Sequence, residues 1–367
     1  MSFACTVFLL LSETIVGWKY KSDPKDLPYS NWMSYFQDFY VGDLPMVPGS
    51  HDSATVAVSP DEDWFGLIGW LYAQTQSTNI MNQLMLGVRL IDLRITVFLD
   101  AFDRPNEIYD SHTFKTNSTF TQSLLDVKTF LREQPTEFVY LLVRIDAENP
   151  LDTALDQKRS FIESQIKQCG IPLATVTNLA NVKVKDIAGK AVLIARMDNK
   201  TKWRLLPNTT TLPVVDWSTK YSVCDVWNYT SSAAGMARIA SCFPQVPANT
   251  KETGIITGYA LDGQFDQLWP QLTSPQITQW WLTNFQNNTD WAARSKFPIG
   301  VFLIDFVNST YMSIFLDYIM NFGYPYPYYG SSEPWTPGMN IPIYDSSAEF
   351  PLGNCFVAFI ALIVSIN

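Results

Sequence analysis

Histidine is scarce in this chain: 367 residues include only two, His51 and His112. Two imidazoles cannot build a three-histidine zinc site, although a mixed histidine and carboxylate metal site stays open. Basic residues are outnumbered 25 to 35 by acidic ones, the formal net charge is −10, and no Lys/Arg run exists that could neutralise a row of phosphates. That absence argues against a nucleic-acid partner. Charged residues make up only 16% of the chain against 47% hydrophobic, with 12 Trp, 17 Tyr and 23 Phe, so the composition is that of a folded protein rather than a disordered one. No internal repeat and no low-complexity block is evident, which leaves out solenoids and propellers.

The two ends carry processing signals. Met1 to Leu11 holds a short apolar run without a basic n-region, and residues 1–17 are expected to form a signal peptide; a truncated start or a buried first helix is the alternative. Residues 323–348 read as a Pro/Tyr-rich linker. Residues 349–367 read as an apolar tail that, with the small residues Asp345 to Ala348 before it, has the order of a glycosylphosphatidylinositol attachment signal. The apolar run from Cys355 to Ile366 is too short for a spanning helix, which needs about 20 residues; a C-terminal core element is its other reading. Six Asn-x-Ser/Thr sequons, at Asn117, Asn199, Asn208, Asn228, Asn287 and Asn308, agree with passage through the secretory pathway to the cell surface or beyond. With Cys5 and Cys355 in the terminal segments, Cys169, Cys224 and Cys242 remain, enough for one disulfide and one free thiol without fixing the pairing.

Between the ends, short apolar runs alternate with helical stretches. The runs Leu44–Val47, Val88–Arg94, Phe138–Arg144, Ala191–Arg196 and Ile299–Asp305 read as strands buried on both faces. One helix begins at the Asn149 cap and Pro150, presents Leu151, Ala154, Leu155, Ile162 and Ile166 on one face, and stops at Gly170. Another passes through Leu124, Val127 and Leu131 to Pro135. The alternation predicts an α/β fold: a single-domain, irregular (β/α)8 TIM-type barrel of parallel strands over residues 30–322, with 201–253 loop-rich.

A parallel barrel builds its site at the C-terminal ends of the strands. Just past the apolar runs come His51 and Asp52, then Asp92 and Arg94, then Arg144, Arg196 and Asp305, so five strands each deliver an ionisable group to one rim. Any one of these alone is an ordinary loop charge; topology makes them converge. Both histidines lie in polar loop sequence, Pro48-Gly-Ser-His51-Asp-Ser53 and Tyr109-Asp-Ser-His112-Thr-Phe114, and imidazole titrates near pH 6.5, which suits a base and acid pair. The aromatic stretch Asp63 to Tyr72 offers Trp64, Phe65 and Trp70 either to the barrel wall or to a membrane interface.

The string Leu44-Pro-Met-Val-Pro-Gly-Ser-His51-Asp-Ser-Ala54, the string Gln83 to Arg94 and then His112 together resemble the X-domain of phosphatidylinositol-specific phospholipase C, of the bacterial, metal-independent type. The later runs ending at Arg144, Arg196 and Asp305 fit the same pattern, so the resemblance covers roughly residues 35–310. It implies a phosphodiesterase that cleaves phosphatidylinositol or glycosylphosphatidylinositol lipids to diacylglycerol and an inositol cyclic phosphate. His51 is then the general base, oriented by Asp305; His112, supported by Asp52, is the general acid; Arg94 stabilises the phosphoryl oxygens in place of calcium. Asp92, Arg144, Arg196, Asp225 and Trp227 are implied to bind substrate, Trp227 standing where relatives often carry Tyr. No cofactor and no metal are expected. The expected partners are the inositol lipid and a membrane surface, contacted peripherally or through a lipid anchor, and the expected state is a monomer. The rivals are a non-catalytic inositol-lipid-binding or interaction module on the same fold, and another barrel phosphodiesterase that works through a metal.

Overall fold

In the computed structural model the described residues are 29–44, 46–57, 59, 73–112, 114–145, 155–176, 179, 182–195, 211–216, 255–257 and 301–321. All lie in the first of two compact units, residues 1–326. The terminal segments, Trp64, Phe65 and Trp70, and Arg196, Asp225 and Trp227 fall outside them.

Seven strands run parallel: β1 (Val47–Ser50), β2 (Leu90–Leu99), β5 (Val139–Ile145), β6 (Ala191–Ala195), β7 (Val214–Asp216), β8 (Ile255–Thr257) and β9 (Val301–Ile304). Their spatial order is β7-β6-β5-β2-β1-β9-β8, with β1 and β2 at the centre. Two more strands, β3 (Pro105–His112) and β4 (Phe114–Thr119), form an antiparallel hairpin on the distal part of β2. The helices among the described residues are α1 (Ile80–Met85), α2 (Phe120–Glu133), α3 (Leu155–Cys169), α4 (Val184–Ile187) and α5 (Ser309–Asn321). This is the strand and helix alternation of a TIM-type barrel, as expected. No described helix is long and apolar enough to cross a membrane.

Local sequence accounts for most elements. In α2, Thr119 caps the N-terminus by accepting from the Gln122 N–H, and Phe120, Leu124, Val127 and Leu131 fall on one buried stripe. α3 ends where Gly170 takes a φ of +62°, which is the expected stop. β5 is buried along almost its whole length, as a central parallel strand flanked by β2 and β6. Asn308 caps α5, its Oδ1 accepting from the Tyr311 N–H while its amide donates to the Phe306 carbonyl.

Two expectations shift. The first strand is Val47–Ser50 rather than Leu44–Val47, so it carries Pro48 and Gly49 in its middle. Pro48 gives up one ladder donor but still accepts from Arg89 N–H at 2.8 Å. Gly49 is required by packing: a Cβ there would stand 2.5 Å from Leu303 Cδ2 and 3.1 Å from Leu90 Cβ, so only glycine lets β1 fit between β9 and β2. The segment around His112 is a strand rather than a loop, because Asn106-Glu-Ile-Tyr109 pairs back onto the extension of β2. The loop-rich region 201–253 contains β7 at Val214–Asp216, and Cys169 is a free thiol.

Candidate active site

β1 ends at Ser50, and its ladder with β9 aligns Ser50 with Ile304. The next residues of both strands, His51 and Asp305, therefore leave the sheet side by side. His51 Nδ1 lies 2.8 Å from Asp305 Oδ1. On the other side, β2 stands beside β1 with Ser50 paired to Ile91, and its next inward positions are Asp92 and Arg94. Arg94 pairs with Arg144 of β5, which brings the second guanidinium to the same rim. Six ionisable side chains from four strands thus meet at one point, and five of them are almost fully buried: His51, Asp52, Asp92, Arg94 and Asp305. Arg144, with 19% of its side chain exposed, is the member that faces outward.

Asp52 holds the centre of this cluster. It adopts a φ of +43°, a left-handed conformation that aspartate tolerates better than most residues and that concentrates at functional turns. Its Oδ1 pairs with Arg94 Nε and lies 3.7 Å from Arg144 Nη2, while Oδ2 lies 3.3 Å from His51 Nε2. Asp92 accepts from the Asp52 N–H at 3.3 Å and stands 3.6 Å from Arg94 Nε and 3.5 Å from Arg144 Nε. Two guanidiniums are thus interleaved with two carboxylates, an arrangement that compensates charges buried away from water.

The tautomer of His51 follows from its partners. Arg94 Nη2 lies 2.5 Å from His51 Nε2, and a guanidinium can only donate. Nε2 therefore carries the lone pair, and the proton sits on Nδ1, donated to Asp305. This is the base-ready tautomer, with Asp52 close enough to Nε2 to receive a second proton's charge once the ring becomes an imidazolium.

Residues that sequence reasoning passed over fix the turn. Gln76 Nε2 donates to the carbonyls of His51 at 2.7 Å and Ile304 at 3.1 Å, and its Oε1 accepts from the Val307 N–H. Thr75 donates to the Asp52 carbonyl at 3.1 Å and accepts the Phe306 N–H at 2.7 Å. These two residues strap the loop after β1 to the loop after β9. Their run, Ala73-Gln-Thr-Gln-Ser-Thr78, is polar and aperiodic, and nothing in it signals burial.

His51 is only 3% exposed despite its polar loop sequence; a buried imidazole is tolerable here because both ring nitrogens have partners. His112 closes β3. The β2–β3 ladder pairs Ile95 with Asp110, so two further antiparallel steps carry the His112 backbone to the level of Leu93, next to Arg94, while its side chain lies outside the described residues. Ligand atoms of His51, Asp52 and Asp92 also lie within 4.8 Å of one another, close enough to hold a metal ion, but the Arg94 guanidinium stands among them.

The fold is a parallel barrel with a buried cluster of carboxylates, guanidiniums and an imidazole at its C-terminal rim, the end at which such barrels build their sites. No protein-family model matches the chain. It is 29% identical over 184 residues to a PI-PLC X-box domain-containing protein of Dictyostelium discoideum, covering 46% of this chain and 23% of that protein. To a PI-PLC X domain-containing protein 3 of Danio rerio it is 31% identical over 140 residues, covering 32% of this chain and 42% of the relative. To the 1-phosphatidylinositol phosphodiesterase of Listeria monocytogenes it is 26% identical over 211 residues, covering 56% and 62%. The chain thus spans between about a quarter and three fifths of the length of these curated relatives. The solved phosphatidylinositol-specific phospholipase C from Listeria monocytogenes has the same fold, with a TM-score of 0.60 at 18% identity over 80% of this chain and 99% of that one. In sequence the chain is similar to PI-PLC X-domain proteins, and in fold to the solved bacterial enzyme.

Proposed function

We propose that this protein is a metal-independent phospholipase C for inositol lipids, acting by intramolecular phosphoryl transfer. The observation that carries the proposal is His51 held between Asp305 on Nδ1 and Arg94 on Nε2, with the two buried carboxylates Asp52 and Asp92 behind them. When a lipid phosphate enters, its oxygens take over the Arg94 guanidinium and free the Nε2 lone pair. Nε2 removes the proton of the inositol 2-hydroxyl, and that oxygen forms a bond to phosphorus. The bond from phosphorus to the diacylglycerol oxygen breaks, and His112 returns a proton to the leaving oxygen. The products are diacylglycerol and an inositol cyclic phosphate. Arg94 and Arg144 stabilise charge growing on the phosphoryl oxygens, which a positioned cation does well in a water-poor site. Arg196, Asp225 and Trp227 are assigned to the inositol ring with Arg144, and the enzyme works at a membrane surface in the secretory pathway or outside the cell.

His51→Ala and His112→Ala are each expected to lower release of water-soluble inositol cyclic phosphate from labelled phosphatidylinositol by at least ~10²-fold, the usual worth of a positioned acid or base. Near-normal turnover in both variants sinks the mechanism and favours the non-catalytic reading.

One observation favours a second reading: the closeness of the His51, Asp52 and Asp92 ligand atoms, which suits a divalent cation if Arg94 swings out. Excess EDTA separates the two. Under the arginine reading activity is unchanged; loss of activity that Ca²⁺ restores assigns the site to metal.

A further inference from the structure

Six large hydrophobic side chains are exposed among the described residues, and three of them cluster at one turn: Phe98 (40%), Leu99 (36%) and Phe102 (77%) at the tip of the β2–β3 hairpin. Scattered exposed apolar residues need no explanation, but three within five positions do. The turn itself is pre-organised. Asp100 accepts from the backbone N–H groups of Phe102 and Arg104, at 2.8 and 3.0 Å, and from Arg104 Nε at 2.9 Å. Asp103 takes a φ of +58° to close the loop, and the Phe102 ring is left in solvent with the Arg104 guanidinium 5.0 Å from its centroid. Below it, Lys115 stacks 3.6 Å from the Tyr109 ring, and Phe98 packs edge-on to Tyr109.

The position of this tip relative to the site is fixed by the strand. β2 leaves the barrel after Ile95, where its pairing with β5 ends, and continues to Leu99 with only β3 beside it. Five residues separate Arg94 from Leu99, which at ~3.3 Å each is about 17 Å along the strand. With the usual barrel tilt of ~35–45°, that is a rise of about 13 Å. Aromatic and aliphatic side chains that dock in a bilayer interface enter by ~5–10 Å. The difference leaves the rim a few ångströms above the interface, where the phosphates of lipid headgroups lie.

We infer that the Phe98–Phe102 tip inserts into a zwitterionic lipid surface and holds the barrel rim at headgroup height, an inference that rests on the inositol-lipid reading of the site. Charge and area select a lipid over other occupants. Asp100, Asp103, Glu107, Arg104 and Lys115 sum to −1 at the tip, and the whole chain to −10, so attraction to an anionic surface is not the driving force. A specific protein partner or a second copy needs about 800 Å² of complementary surface on each side, which three side chains on a two-stranded tip do not offer. A fluid interface needs only a few projecting apolar groups.

The test is co-sedimentation of the full chain with phosphatidylcholine vesicles, which contain no inositol lipid, using the wild type, His51→Ala, Phe102→Ala and the double variant Phe98→Ser/Phe102→Ser. The wild type and His51→Ala are expected to bind equally, and the binding to persist in about 0.5 M salt, where surface charges are screened. Phe102→Ala is expected to lower partition by about tenfold, the effect of withholding one ring from burial, and the double variant by more. Turnover of a short-chain inositol lipid below its micellar concentration is expected to stay at the wild-type level in Phe102→Ala. Absence of vesicle binding by the wild type, unchanged partition of the double variant, loss of binding in salt, or a Phe102→Ala variant that merely dissociates a dimer each overturns the inference. Vesicle binding through the tip without any inositol-lipid cleavage overturns the proposed activity and leaves the tip assignment standing.

Discussion

Buried carboxyls in this protein come in two kinds, distinguished by what stands beside them. Asp52, Asp92 and Asp305 lie against guanidinium or imidazole groups at the rim. Asp110, on β3, is wholly buried against α2, where Ser123 Oγ donates to it at 2.5 Å, and desolvation pushes its pKa up to about 7. The folded state therefore holds this proton at pH values where the unfolded chain has released it. Stability from this group is full below pH 4 and falls as pH rises towards 7, by at most roughly 4 kcal/mol between 3.8 and about 7. Asp110→Asn mimics the protonated form and removes that slope. Denaturant titrations at pH 5 and pH 7.5 are expected to show the variant gaining on the wild type by a few kcal/mol at the higher pH; a gap that does not change with pH disproves the assignment. Residue identity was readable for the site itself, since His51, Asp52, Asp92, Arg94, Arg144 and Asp305 all lie just past or within apolar runs. Gln76, Thr75 and Asp110 were not, because a polar residue in a polar stretch carries no mark of the partner that buries it.

At the scale of elements, the long apolar runs announced β5, β6 and β9 to within two residues, as buried parallel strands do, whereas β2 runs five residues past the end read for it, to Leu99. β1 was misplaced because Pro48 and Gly49 read as a turn, whereas tight packing between β2 and β9 makes them a strand. The β3–β4 hairpin was missed because β3 is held as a strand by pairing with the extension of β2, which the polar run around His112 does not signal. The opposite, N-terminal end of the barrel is held by a different device. Arg89, just before β2, and Glu137, just before β5, are fully buried, joined at 2.6 Å, and Arg89 also donates to the carbonyls of Ser30, Leu84 and Val88. Its guanidinium lies 4.7 Å from the Phe130 ring centroid. Glu137→Ala leaves that charge buried without a counter-charge and is expected to cost about 3–5 kcal/mol in urea unfolding. Activity per folded molecule should be unchanged, since the floor of a barrel serves stability and its rim serves chemistry.

For the molecule as a whole, the sequence by itself determined the class of fold and the residues with chemical potential. Those depend on the order of apolar runs and on short strings such as Pro48-Gly-Ser-His51-Asp52, which are local properties of the chain. Only the tertiary structure decided which of those residues touch, which tautomer His51 adopts, and that the Arg94 guanidinium meets its Nε2. Tertiary structure also turned the segment around His112 into a strand paired with β2, in a hairpin whose tip exposes Phe98, Leu99 and Phe102. The physical reason is that periodicity encodes the face a residue presents, whereas partnership depends on strand register and on turns such as the one at Asp52, and these are fixed only when distant segments pack together.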